Sequence, residues 1–232
     1  MKKKIGVIIQ TRMGSTRLPG KVLKKLNEKN TVLDILIKRL KLCEKVNEII
    51  IATTPDKKNN AILKLVQLLD VNSFIGSEKN VLKRYYKAAK YFNLDIIIRA
   101  TSDNPFIDYR VVDDLIECYK NSSYDYISNN HSFTNFPIGS DIEIFSFDIL
   151  RKVYSLARTK VEKEHVTTYI TRHPEIFRIY YYNLDNLKKI ENLRLTIDEE
   201  DDLKMCREVY KRLDNIGKSI KFSIFDIIDI IS

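Results

Sequence analysis

At 232 residues, 44% of them hydrophobic and 31% charged, the chain can bury a sizeable core as one α/β domain or two small ones. No apolar run approaches the roughly 20 residues that a membrane helix needs, so no membrane partner is expected. The net charge of +9 comes with lysines scattered along all the expected helices but the last, with no aromatic-interleaved basic block. That pattern reads as a solvated surface that helps draw in an anionic ligand, not as a nucleic-acid interface.

Lys2-Lys3-Lys4 ahead of an apolar run resembles the start of a signal peptide. The run is only Ile5 to Ile9 and no small-residue cleavage site follows, so it reads as the first strand of a cytoplasmic protein. It stops at a polar loop, Gln10 to Lys21, with two glycines, two arginines and a lysine. A buried strand ending in a cationic, glycine-bearing loop suits a phosphate, because backbone N–H groups beside glycine approach an anion closely.

Helical spacing of Leu33, Leu36, Ile37 and Leu40 follows, with Thr31 as a cap. Glu48 to Thr54 is a second strand closed by Pro55-Asp56. Ile62, Leu65, Val66 and Leu69 mark a helix, and Val71 to Ile75 a short third strand ended by Gly76-Ser77. Val81, Leu82, Tyr85, Ala88, Ala89 and Phe92 share the inner face of the next helix, and Asp95 to Ala100 is a fourth strand. Strands that are continuously apolar, alternating with helices, predict a mostly parallel sheet covered on both faces: an α/β, three-layer α/β/α architecture. Ligands in such sheets bind at the carboxyl ends of strands, where the loops Thr11 to Lys21 and Thr101 to Asp108 both lie.

The second half is less regular. It predicts a helix over Tyr109 to Asn121 capped by Asp108, a strand over Tyr124 to Ser128, a loop over Asn129 to Gly139 and an alternating strand over Asp141 to Phe145. Helices near Phe147 to Leu156 and Glu162 to Arg172, strands over Phe177 to Tyr182 and Leu193 to Ile197, and helices over Asp201 to Leu213 and Ile224 to Ile231 complete it. With no internal repeat or linker, residues 1–232 read as a single domain in which 129–182 form an excursion. Cys43, Cys118 and Cys206 are far apart with no C-x-x-C pair, so reduced thiols are expected.

The loop fails two familiar phosphate patterns. Gly14 and Gly20 are separated by five residues, not the four of a P-loop, and Val22 stands where that motif needs a hydroxyl. The G-x-G-x-x-G fingerprint of dinucleotide folds is absent.

The run Gln10-Thr11-Arg12-Met13-Gly14-Ser15-Thr16-Arg17-Leu18-Pro19-Gly20-Lys21 instead resembles the signature loop of the cytidylyltransferase family, which includes the CMP-Kdo and CMP-sialic acid synthetases. Within it, the likeness is to the branch of the SpsF-type spore-coat polysaccharide proteins. Gly76-Ser77-Glu78 with Val81-Leu82-Lys83-Arg84-Tyr85-Tyr86, then Arg99 to Asp108, Glu164-His165-Val166-Thr167 and Leu195 to Asp198 with Asp201-Asp202-Leu203, are similar to later blocks of that family. The resemblance covers nearly the whole chain and implies a Rossmann-like nucleotidyltransferase fold.

It also implies a reaction: CTP plus a sugar acid, or a related hydroxyl or phosphate acceptor, gives a CMP-activated product and pyrophosphate for surface polysaccharide or glycoconjugate biosynthesis. Charge built on the α-phosphate and the leaving group would be met by cationic side chains and by Mg²⁺, or Mn²⁺ in its place. The resemblance makes Asp103 and Asp198 the metal ligands, and Lys21, Arg12 and Asp103 the catalytic set. It gives Gln10, Thr11, Arg12, Met13, Gly14, Ser15, Lys21, Thr53, Ser77 and Ser102 to the nucleotide, with Arg17 a lesser phosphate candidate. Asp141, Glu143, Arg99 and His165 are candidates for the acceptor, with the segment from His131 to Ser140 beside it. A homodimer built through 129–182 is the implied assembly.

Read from the residues alone, Asp103 equally initiates a turn and Asp198 equally caps a helix. Asp141 and Glu143 equally form a polar strand face. A P-loop-like phosphotransferase and a non-catalytic nucleotide-binding relative stand as the alternative functions.

Overall fold

The computed structural model describes residues 3–130, 134–190 and 193–231. Lys2 of the basic run, and His131, Ser132 and Phe133 of the segment expected near the acceptor, lie outside the described residues.

Seven strands form one sheet among the described residues: β1 (Ile5–Gln10), β2 (Glu48–Thr53), β3 (Asn72–Ile75), β4 (Ile96–Thr101), β5 (Tyr126–Ser128), β6 (Glu143–Ser146) and β7 (Ile179–Tyr181), in the order β3-β2-β1-β4-β6-β5-β7. β3, β2, β1 and β4 are parallel. β6 runs antiparallel to both β4 and β5, and β7 pairs parallel with β5, so the sheet is mixed, with β6 the reversed strand. The expected α/β architecture is present, but the alternation at Asp141 to Phe145 carries no information about strand direction. The segment 129–182 supplies β6 and β7 to the common sheet.

Period-two alternation divides the buried strand residues between two cores. Val7, Ile9, Ile51, Ile96 and Ile98 face one core with α1 (Val32–Leu40), α2 (Asn60–Leu68), α4 (Tyr109–Lys120), α8 (Glu200–Asn215) and α9 (Ile224–Ile231). Ile8, Ile50, Ala52 and Ile97 face the other with α3 (Val81–Tyr91), α5 (Phe147–Leu156) and α7 (Thr168–Arg172). The short helix α6 (Lys160–Glu164) lies between α5 and α7 in the chain.

Helix starts follow capping chemistry. Thr31, Asn80, Asp108 and Ser146 each accept a backbone N–H of their own helix, and Thr159 and Glu162 form a capping box on α6. Tyr85 fixes α3 across the sheet, its hydroxyl shared between the carbonyls of Ile8 and Ala100 at 3.0 and 3.3 Å.

Two expectations change in detail. The helix expected over Glu162 to Arg172 divides into α6 and α7, and between them Val166 adopts φ 27, a left-handed value that a β-branched residue rarely takes. The strand expected over Leu193 to Ile197 is reduced to one bridge, Ile138 to Arg194.

Candidate active site

A cleft of about 1070 Å³ opens at the carboxyl ends of β1 and β4. Its floor begins with the loop after β1. Thr11 N–H donates to the Ala52 carbonyl at 3.1 Å, and Met13 N–H to Asn59 Oδ1 at 2.9 Å. The Met13 carbonyl accepts from both Ser15 and Gly20, which folds the loop back on itself, with Gly20 at φ 68. The turn ends in a short 3₁₀ segment, Lys21–Leu23, that carries Lys21 into the cleft.

Lys21 Nζ stands 2.6 Å from Asp103 Oδ2 and 3.0 Å from Asp198 Oδ1. Arg17 reaches Asp198 Oδ1 at 2.9 Å, and Arg194 reaches Asp198 Oδ2 at 3.2 Å. Partial burial alone would raise the Asp198 carboxyl. The hydrogen bond and charge of Lys21, with Arg17 and Arg194, outweigh it and hold the group below the usual carboxylate range.

The backbone brings the two aspartates together. Ile197 N–H donates to the Asp103 carbonyl at 2.9 Å, and Leu195 N–H to Ile138 at 2.6 Å. Gly139, at φ 95, permits this approach: a Cβ there would fall 2.2 Å from Thr196 N. The Asp198 N–H is held in turn by Asp202 Oδ2 at 2.9 Å.

Arg99 of β4 and Asp141, just before β6, line the cleft, as do Lys160 and Glu164 of α6 and His165 at its C-terminal end. Arg99 is paired with Glu143 at 2.9 Å, and Thr167 Oγ1 donates to Glu143 at 2.9 Å. Asp141 titrates at about 6. Burial raises it first and the Glu143 charge adds to that, while the Gly139 N–H and Arg99 oppose the rise.

Of the residues expected at the site, Gln10, Thr11, Arg12, Gly14, Ser15, Lys21, Arg99, Ser102, Asp103, Asp141, His165 and Asp198 line this cleft. Met13, Thr53, Ser77 and Glu143 are not in its lining. Met13 shapes the loop turn, Thr53 is fully buried at the end of β2, Ser77 gives its carbonyl to Arg84, and Glu143 is committed to Arg99. His165 sits at the C-terminal end of α6 rather than within a helix.

The cleft also contains residues that the sequence reading assigned no place in it: Glu78, Lys79, Arg84, Asn104, Lys160 and Glu164. For Arg84 there was a signal. It lies three residues after Val81 and four before Ala88, on the same helical face as those apolar residues.

Among the described residues no group of three or more His, Cys, Asp or Glu side chains is disposed to hold a metal ion, and no helix is long and apolar enough to cross a membrane.

A glycine-bearing cationic loop at the end of a central strand, facing two carboxylates brought in from β4 and from the start of α8, defines a protein of the nucleotidyltransferase class on a Rossmann-like α/β sheet. Comparison with known proteins narrows the class. Residues 6–220 match the family model described as cytidylyltransferase. An uncharacterized protein of Methanocaldococcus jannaschii is 42% identical over 226 residues, covering 97% of this chain and 90% of that one. The spore coat polysaccharide biosynthesis protein SpsF of Bacillus subtilis is 34% identical over 88% of this chain and 85% of its own length. The structure of a cytidylyltransferase from Leptospira borgpetersenii superposes with a TM-score of 0.90 at 32% identity, over 99% of this chain and 94% of that one. The chain belongs to the cytidylyltransferase family.

Proposed function

We propose that this cytidylyltransferase transfers CMP from CTP to a hydroxyl of a small sugar acid, or of a related acceptor, and releases pyrophosphate, in the biosynthesis of a surface polysaccharide or glycoconjugate. The observation that carries the reading is the Lys21 ammonium held between Asp103 and Asp198 beneath the glycine-bearing loop. The likeness to SpsF supports the polysaccharide setting.

In this reading the backbone of Gly14 and Ser15 cradles the triphosphate, and Arg12 and Arg17 neutralise its outer phosphates. Lys21 leaves the carboxylates for the α-phosphate, where negative charge grows as the acceptor oxygen attacks in line. Asp141, Arg99 and His165 line the side from which the acceptor approaches, and Glu143 holds the Arg99 guanidinium in place.

The donor set suits Mg²⁺ or Mn²⁺. Both prefer oxygen ligands, and Mg²⁺ takes one or two carboxylates together with phosphate oxygens and water. The oxygens of Asp103 and Asp198 already converge on one cation, Lys21 Nζ. These two carboxylates would hold the metal, whose charge would offset that of the triphosphate and the departing pyrophosphate.

The partly exposed ring of Tyr180 on the edge strand β7, stacked on that of Tyr124 just before β5 with centroids 5.0 Å apart, supports a homodimer contact that includes the β7 end of 129–182. Pyrophosphate release measured with each of CTP, UTP, ATP and GTP against a panel of sugar acids tests the function. Release with CTP alone is expected. Release with UTP or GTP and none with CTP would remove the assignment.

A further inference from the structure

The local sequence opposes the break between α6 and α7. Residues 160–172 contain no glycine or proline, and two helices of five residues each are well short of the length at which an isolated helix holds. The break is a tight turn. Thr168 N–H donates to the His165 carbonyl at 2.8 Å, across Val166 at φ 27 and Thr167 at φ -101 and ψ -4. Positive φ at the first central position alone is the type II′ pattern, and glycine dominates that position. Of the five described residues other than glycine with positive φ, Val166 is the one that is β-branched, and it is 1% exposed. Backbone strain of this kind persists where the surrounding structure over-determines it, and it gathers at functional sites.

Two interactions hold the turn. The Val166 side chain lies in the core shared by α3, α5 and α7. The Thr167 hydroxyl donates to Glu143 Oε2 at 2.9 Å. Thr167 stands at the N-cap of α7, where a threonine hydroxyl ordinarily accepts a backbone N–H of its helix, and it makes no such bond. A turn that served stability alone would take glycine at 166 and leave the hydroxyl of Thr167 to its helix. The chain does neither.

The hydroxyl goes to a carboxylate whose other oxygen is already engaged. Glu143 Oε1 pairs with Arg99 at 2.9 Å. A carboxylate held at one oxygen turns about the Cγ–Cδ bond, a torsion with broad wells. Held at both, its plane is fixed, and with it the direction in which the guanidinium is gripped. The register of β4 and β6 sets Arg99 opposite Glu143 but leaves that plane open. The first residue of the same turn, His165, lines the cleft together with Arg99.

Resting on the cytidylyltransferase reading, in which Arg99 faces the acceptor, we propose that Thr167 is a positioning residue for acceptor binding. Through Glu143 it fixes the orientation of the Arg99 guanidinium, and the strained turn at Val166 aims its hydroxyl at the carboxylate.

The test compares Thr167→Val, which removes the hydroxyl at nearly constant volume, with Thr167→Ser, which keeps it. Pyrophosphate release is followed with CTP and the sugar acid of the panel that gives the highest rate. Nitrogen-15 relaxation of the Arg99 Nε–H is measured on the protein without ligands, and circular dichroism confirms folding. In Thr167→Val the acceptor KM should rise roughly 10-fold, the effect of one hydrogen bond to a charged group, while the KM for CTP stays at the wild-type level. The Arg99 Nε–H should gain motion on the picosecond to nanosecond scale, and Thr167→Ser should restore both readouts. If Thr167→Val fails to fold, Val166→Gly decides in the same assays, because it keeps the positive φ and frees the turn from the core; the same rise in acceptor KM is expected. A folded variant with unchanged acceptor KM or unchanged Arg99 motion, an equal rise in both KM values, or a serine variant as impaired as the valine one overturns the inference and leaves the cytidylyltransferase reading standing. A wild-type protein that releases no pyrophosphate from CTP with any sugar acid overturns that reading, and the acceptor role of Thr167 with it.

Discussion

Lys21 donates to Asp103 at 2.6 Å across 82 positions of sequence, and the same ammonium reaches Asp198 at 3.0 Å. The two carboxylates therefore face three cations, Lys21, Arg17 and Arg194, and carry no surplus negative charge for a bare divalent ion. A nucleotide arriving with its metal changes the balance, because its phosphates give Lys21 and Arg17 new partners and free the aspartate oxygens.

Replacing Lys21 with methionine should cost about 10²- to 10³-fold in turnover, the usual effect of removing one donor from a developing oxyanion. The same variant should bind Mn²⁺ more tightly than the wild type when no nucleotide is present, because the ammonium no longer competes for the two carboxylates. Electron paramagnetic resonance of free Mn²⁺ reads this directly. Equal Mn²⁺ affinity in the two proteins would show that Lys21 does not occupy the cation's place.

Gly139 holds the second carboxylate in reach of the first. At φ 95, with a Cβ position 2.2 Å from Thr196 N and 2.5 Å from Leu195 C, it tolerates no side chain without moving the strip that carries Asp198. Gly139→Ala should destabilise the fold by about 2 kcal/mol or more, combining left-handed strain with a backbone clash. Turnover should fall further than stability does, since a displacement near 1 Å at a catalytic group costs about 10²-fold. Denaturant midpoints together with steady-state rates at a temperature where the variant is folded separate the two effects.

Much of this arrangement could be read from the chain, for physical reasons. Apart from Gly6, Ile5 to Ile9, Ile49 to Ile51 and Ile96 to Ile98 are β-branched because both faces of their sheet are covered, and that predicts parallel strands whose loops share one edge. Convergence of Lys21 with Asp103 follows from that edge. The reversal of β6 did not follow, because direction depends on how the chain returns from β5, and the Pro137-Ile138-Gly139-Ser140 turn is separated from β5 by a stretch whose path the sequence does not specify. Nor did the break between α6 and α7, since Val166 is a residue type that gives no warning of a left-handed bend. Glu143 read as a group facing a ligand. Its commitment to Arg99 depends on the β4–β6 register, which sets Arg99 opposite Glu143.

Asp141 makes a pH prediction with a definite sign. Its carboxyl is raised from 3.8 to about 6, by burial first and then by Glu143 and Asp103, against the Gly139 N–H and Arg99. Between those two values the folded protein keeps a proton that the unfolded chain has lost, so stability falls as pH rises through the window. Above about 6 the full penalty is present, at most about 3 kcal/mol for a shift of this size. Asp141→Asn should therefore be more stable than the wild type at pH 7 and 8, with the difference narrowing as pH drops below 6. Thermal unfolding of both proteins from pH 8 to pH 5 checks it; a gap that widens toward acid would reverse the assignment.

The Arg99–Glu143 pair should behave in the opposite way when one partner is removed. Both side chains are mostly buried, at 13% and 7% exposure, and Thr167 completes the hydrogen bonding of the carboxylate. Burial alone would lower the Arg99 pKa, but the facing Glu143 outweighs it and holds the guanidinium firmly charged. Glu143→Gln leaves that charge without its counter-ion and should cost about 3–5 kcal/mol. The double replacement Arg99→Met with Glu143→Leu removes both charges and should recover most of the loss, because a buried pair is close to neutral against an apolar substitute of similar volume. The recovered fold should still be poor at using the acceptor, since Arg99 lines the cleft on that side. Urea unfolding of the two variants beside the wild type, followed by acceptor KM on the double variant, distinguishes a pair kept for stability from one kept to present an arginine to the acceptor. Full stability in Glu143→Gln would show that the carboxylate is not what holds Arg99.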